Sequence, residues 1–128
     1  MKHVTIIAVP KALGSTVTIP LEMLSAANDI ARSRRQLDKL VTIDLASGTH
    51  TTELVLSGGM RIKCQTTLNN ISNSDLIFIP GIWGNPGASL PKLKPMMNWL
   101  VQQYAAGSTL CSIVTGSYFL AEAGLLQG

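Results

Sequence analysis

The segment His3–Val9 is a run of β-branched and small apolar residues with no polar alternation, the pattern of a strand covered on both faces. Strand-length apolar runs return at Val41–Ala46, Leu76–Ile79 and Thr109–Ile113. Between the first two, Val17, Leu21, Leu24, Ala27 or Asn28, and Ala31 recur at helical spacing, with Pro20 tolerable in the first turn. A second helical stretch, from about Pro91 to Tyr104, sets Leu93, Met96, Met97, Leu100, Val101 and Tyr104 on one face and stops at Gly107. Strands separated by helices are crossover units, and crossovers join parallel neighbours. The predicted fold class is therefore α/β: a doubly wound, mostly parallel sheet with helices on both faces.

One segment departs from that alternation. Leu54-Val55-Leu56 and Met60–Cys64 read as a small β-hairpin turned by Ser57-Gly58-Gly59. No repeat, linker or low-complexity tract divides the chain, and 128 residues suffice for one domain with its own core, so 1–128 is read as a single unit. With 46% hydrophobic and 13% charged residues, the chain is neither disordered nor fibrous. The apolar run Val4–Val9 is too short for a signal sequence and ends at Pro10-Lys11. Charges are absent from Pro95 to Ala121, yet Asn98, Gln102, Gln103, Gly107, Ser108 and Ser112 interrupt that stretch, so no membrane span is expected. Cys64 and Cys111 have no paired spacing and fit buried, reduced thiols in a cytoplasmic protein. The net charge is +3, and the one cationic cluster, Arg32, Arg34, Arg35 and Lys39 around Asp38, reads as a solvated helix end rather than a nucleic-acid patch.

In a doubly wound sheet, ligands bind beyond the carboxyl ends of the strands, where connections diverge. Three loops should meet there: 10–16, 80–87 and 114–117. The candidate ligand-binding residues are Gly14, Ser15, Thr16, Gly81, Ile82, Trp83, Val114, Thr115, Gly116 and Ser117. Gly81 and Gly84 permit close backbone approach, Trp83 offers a flat apolar wall, and the free amides at 115–117 favour an anionic or carbonyl-bearing group. Alternatively these glycines only make turns, and Trp83 caps the core or fills a subunit interface. The turn at Val114-Thr115-Gly116 is a sharp strand-to-helix elbow of the kind that mounts a nucleophile, yet its tip is valine. The elbow therefore reads as part of a pocket. Cys111 lies three residues earlier, inside the strand, and His3 and His50 have no ligand-spaced partners, so neither a cofactor nor a metal site is expected.

The segments Asp75–Gly81 and Ile113–Gly128 together resemble the ThiJ/PfpI branch of the class I glutamine amidotransferase-like superfamily, with its flavodoxin-like sheet. The likeness is closer to the amino-terminal domain of AraC-type transcriptional regulators of the GlxA kind. Ile19-Pro20-Leu21-Glu22 is similar to a helix of that family, and Ser57–Ile62 fits its hairpin. The resemblance places the family's nucleophilic cysteine at Val114, and its supporting acid in the stretch 14–18, which reads Gly-Ser-Thr-Val-Thr. A thiolate needs both sulfur and a positioning partner. The resemblance therefore implies a non-catalytic domain, with Val114 as a degenerate nucleophile position. That domain would sense a small-molecule effector and form a homodimer, and DNA would be bound only through a carboxyl-terminal helix-turn-helix domain outside these residues. It also implies last strands beyond Gly128, so that this domain would be truncated. The alternative within the superfamily is a cysteine-dependent hydrolase, amidase or glyoxalase-like enzyme acting through Cys111 or an activated water.

Overall fold

In the computed structural model, which describes residues 2–82, 84, 91–113 and 116–125, strand β1 (Lys2–Ala8) lies at the centre of the sheet, and Val4–Ala8 are all buried. It pairs in parallel with β2 (Val41–Ser47) on one side and with β6 (Leu76–Ile79) on the other. Two further parallel pairings, β2 with β5 (Thr66–Thr67) and β6 with β7 (Thr109–Ser112), complete a five-stranded sheet of order β5-β2-β1-β6-β7. From β1 the chain steps one way to β2, then returns to the other side for β6 and β7. The switch point lies between β1 and β6, as expected for a doubly wound sheet.

Helix α1 (Gly14–Ser33) covers one face over β1 and β2, and α2 (Lys94–Ala105) covers the other. The alternation of β1 divides its side chains accordingly. Ile7 and Val9 point toward α2, where Gly48 is hemmed in by both of them and by Met96. Val4 and Ile6, in register with Leu76 and Phe78, point toward α1. α1 is fixed to the sheet by a polar clasp as well. The buried Asn28 side chain donates to the carbonyl of Val41 (2.9 Å) and accepts from its N–H (3.0 Å), holding the first residue of β2.

The hairpin is present as β3 (Glu53–Val55) and β4 (Arg61–Lys63), antiparallel, with Gly58 and Gly59 at φ 79° and 82° between them. Such angles suit glycine and no β-branched residue. α3 (Ser117–Glu122) follows β7 and packs on α2. The inward face of α2 differs from the expected one. Leu93, Met96, Trp99, Leu100 and Gln103 are buried, whereas Val101 and Tyr104 face solvent. Trp99 turns inward because its indole N–H finds the carbonyl of Ile71 at 2.9 Å. Gln103 is admitted because its amide accepts from Ser74 N–H (2.9 Å) and donates to Ser72 carbonyl (3.0 Å).

Candidate functional site

Two of the three loops at the carboxyl ends of the strands are stitched together by backbone hydrogen bonds. Ala12 and Ile82 form an antiparallel bridge, and Leu13 N–H donates to Gly81 carbonyl at 2.8 Å. The hydroxyl of Thr16 completes the joint, donating to Leu13 carbonyl (2.6 Å) and accepting from Gly81 N–H (3.1 Å). With one proton given and one received, that hydroxyl is committed to holding the loops. The hairpin closes the outside of the first loop, since Lys11 N–H reaches Val55 carbonyl at 3.0 Å and Ser57 N–H reaches Ala12 carbonyl at 2.9 Å. Gly14 sits beneath Met60, whose methyl group would lie 2.5 Å from a β-carbon placed there.

The third loop joins at Gly116. A β-carbon at this residue would lie 2.7 Å from Ile79 carbonyl oxygen and 2.9 Å from that of Pro80, so the elbow rests directly on the end of β6. Ile113 N–H donates to that same Ile79 oxygen at 3.0 Å, and Gly116 N–H turns back to Ile113 carbonyl at 3.0 Å. Ser117 is exposed at the start of α3. Seven candidate residues are thus located: Gly14, Ser15, Thr16, Gly81, Ile82, Gly116 and Ser117. Ile82 is buried in the core, as a partner in the loop bridge rather than an open wall. Trp83, Val114 and Thr115 lie outside the described residues, and so does the anion preference assigned to the amide of Thr115.

Beside the joint lies a groove of about 470 Å³, lined by Ser15, Thr16, Ile19, Pro20, Met23, Leu24, Phe78 and Ile113. It runs between the flank of α1 and the part of the sheet that α1 does not cover. Among the described lining residues, only Ser15 and Thr16 carry a side-chain oxygen, and Thr16 has already used its own. Such a groove suits an apolar body with one polar end held near Ser15. The sequence pointed to Ser15 and Thr16 but missed Ile19, Met23 and Phe78. The available signal was a second apolar stripe along α1, which hydropathy alone could not orient.

The cysteines occupy different settings. Cys64 is buried beside the hairpin, and burial pushes its thiol up to about 11 from 9.0. Cys111 is half-buried in β7 and, as the register partner of Phe78, shares the groove-side face of the sheet. At the opposite, amino-terminal end of the strands, His3 Nδ1 lies 2.9 Å from Ser74 Oγ and His3 Nε2 lies 2.7 Å from Asp44 Oδ2. This Ser–His–Asp chain has the connectivity of a catalytic relay. Ser74 is only 3% exposed, however, and its Oγ accepts from Thr5 at 2.8 Å, so no substrate reaches it. The cluster ties β1 and β2 to the turn leading into β6. Among the described residues, no group of three or more His, Cys, Asp or Glu could hold a metal ion, and no helix is long and apolar enough to cross a membrane.

The chain belongs to the DJ-1/PfpI family, whose model matches residues 2–128. No curated protein matches it. Among solved structures, it is similar to a protein of Vibrio parahaemolyticus provisionally described as a transcriptional regulator, with 24% identity and a TM-score of 0.80 over 98% of this chain and 63% of that one. It is also similar to a DJ-1 superfamily protein of Salmonella typhimurium, with 20% identity and a TM-score of 0.73 over 100% and 64%. A provisionally described protease I of Bacteroides thetaiotaomicron gives 16% identity and a TM-score of 0.77 over 100% and 71%. The chain thus spans less than two thirds of the first two. At these identities the likeness establishes the fold, a mostly parallel flavodoxin-like sheet with a small antiparallel pair beside it.

Proposed function

From this membership, we propose that the chain is a non-catalytic, small-molecule-sensing and dimerisation domain of an AraC-type transcriptional regulator. The observation that carries the reading is an apolar groove that reaches Ile113, the residue before Val114, where the family resemblance puts the nucleophile. A hydrocarbon at that position can touch a guest but forms no covalent bond to it. The groove's walls, aliphatic apart from Phe78 and two hydroxyls, favour an effector with an apolar body and a single polar end. Similarity to the Vibrio protein described as a regulator supports the transcriptional part of the reading. DNA contact would then come from a separate carboxyl-terminal domain, and the setting would be cytoplasmic.

Thermal-shift screening of small amphipathic molecules against the intact protein tests the proposal. Binders are expected to raise the melting temperature with saturation, and Leu24→Trp, which fills the groove, should abolish the shift. No amide, ester or 2-oxoaldehyde should be turned over. Turnover that disappears when Cys111 is alkylated would overturn the reading in favour of a cysteine-dependent enzyme. That second reading draws on the half-buried state of Cys111 and its position on the groove side of the sheet.

A further inference from the structure

A second cavity, of about 130 Å³, lies on the α2 face of the sheet, opposite the groove. Three segments wall it. Residues 48–50 follow the carboxyl end of β2, the short helical turn Leu68–Asn70 follows β5, and Lys92 leads into the first turns of α2. Parallel sheets hold ligands beyond the carboxyl ends of their strands, and none of these residues belongs to the joint of loops described above. Every lining residue is among the described ones, and the cavity stands at the β5 edge, the far edge of the sheet from β7.

Floor and rim differ in chemistry. Leu68, Met96 and Trp99 are buried and form the floor. The Trp99 indole N–H is committed to Ile71 carbonyl at 2.9 Å, so its ring offers carbon and no donor. Thr49 Oγ1 is engaged as well, 2.9 Å from Ser47 Oγ and donating to Thr51 carbonyl at 3.2 Å. The unspent groups are the Lys92 ammonium, the His50 imidazole and the Asn69 amide, all on exposed residues. Among the described residues, none of these three side chains has a hydrogen-bond or ion-pair partner. The lining contains no carboxylate, and neither does the first turn of α2. Glu53 shares a separate surface depression with His50, and its register partner Lys63 lies there too.

We infer that this cavity binds a short-chain monocarboxylate. Its hydrocarbon end rests on Met96 and Trp99, and its carboxylate lies at the rim between Lys92 and His50. An ammonium above an apolar floor, with no acid in the lining to neutralise it, favours an anion that carries hydrocarbon. The His50 ring keeps at least one N–H donor in either protonation state, so it serves the same end. The space, roughly four water molecules' share of the liquid, admits a body of a few carbons and no nucleotide or peptide. A bare phosphate would satisfy the rim and leave the floor unfilled. The site is separate from the effector groove, because the sheet stands between them.

Titration of the intact protein with sodium butyrate at constant ionic strength tests this assignment, followed through the Trp99 indole N–H resonance. Trp99→Phe identifies that resonance by its loss. A saturable shift with a Kd on the order of 1 mM is expected. Butyramide has the shape without the charge, and inorganic phosphate the charge without the hydrocarbon; each should bind at least ~10-fold more weakly. Lys92→Met should weaken butyrate binding by ~10-fold or more, and Lys92→Arg, which keeps the cation, by no more than ~3-fold. Lys92 is exposed and makes no bond within the chain, so both variants should melt with the wild type. No saturation at ~100 mM butyrate overturns the inference. Equal binding of butyramide or phosphate overturns it too, and so does an affinity indifferent to Lys92→Met. Leu24→Trp, which blocks the groove on the other face, should leave butyrate binding unchanged, so failure here and failure of the effector groove are separate results.

Discussion

Replacing Gly116 with alanine probes the contact on which the elbow stands. The glycine has ordinary helical angles, φ −58° and ψ −25°, so its backbone conformation does not demand the absence of a side chain. On conformational grounds alone, alanine would stabilise the protein by about 0.4–1 kcal/mol. Space dictates the opposite. The new methyl would meet Ile79 and Pro80 carbonyl oxygens at 2.7 and 2.9 Å, several tenths of an ångström inside van der Waals contact. Both obstacles are backbone atoms and cannot rotate away. Moving the elbow outward stretches the 3.0 Å bond from Ile113 N–H to that same Ile79 oxygen. Overpacking of this kind costs roughly 1–3 kcal/mol. After the conformational gain, a net loss of about 1–2 kcal/mol remains, which corresponds to a melting temperature lower by roughly 4–8 °C. Urea unfolding followed by circular dichroism should show a lower midpoint at unchanged slope. A Gly116→Ala protein as stable as the wild type, or more stable, would refute the close approach.

Asn28→Ala should cost roughly 1–3 kcal/mol in urea unfolding, because both backbone groups of Val41 lose their partner; Asn28→Asp, which retains the acceptor, should fall between the two. Cys64 gives an alkaline signature. Its thiol is pushed up to about 11 by burial, so between about 9 and 11 the folded state keeps a proton that the unfolded state releases. Its contribution, on the order of 3 kcal/mol, is complete below that window and is lost as the pH rises through it. Urea midpoints of the wild type and Cys64→Ala across the alkaline range should therefore fall with different slopes, and parallel slopes would show that the thiol is not buried in solution.

The strands of the sheet were legible because parallel strands leave apolar runs without regular alternation, as at Ile6–Ala8, which is buried on both faces, and at Leu76–Ile79. β5 was not, since Thr66 and Thr67 are too few to carry a period. For α2, ranking residues by hydropathy drew Val101 and Tyr104 inward and passed over Trp99 and Gln103. Both of the latter are buried through specific hydrogen bonds, which periodicity does not encode. Strand ends and glycines brought the loops 10–16 and 80–87 together on paper, and in the structure Leu13, Thr16 and Gly81 join the two. The groove was not. α1 carries two apolar stripes, and only the packed structure shows which one meets the sheet and which one stays open.

The central position of β1 sets a timetable for the nascent chain. The first strand to leave the ribosome waits for both of its neighbours, and His3 N–H must find the carboxylate of Asp75, 72 residues later. Until α2 is made, Ile7 and Val9 lack the face they pack against, and a stretch this apolar invites misassociation while synthesis catches up. Translation speed between β1 and α2, and the attendance of chaperones there, therefore bear on the yield of this protein.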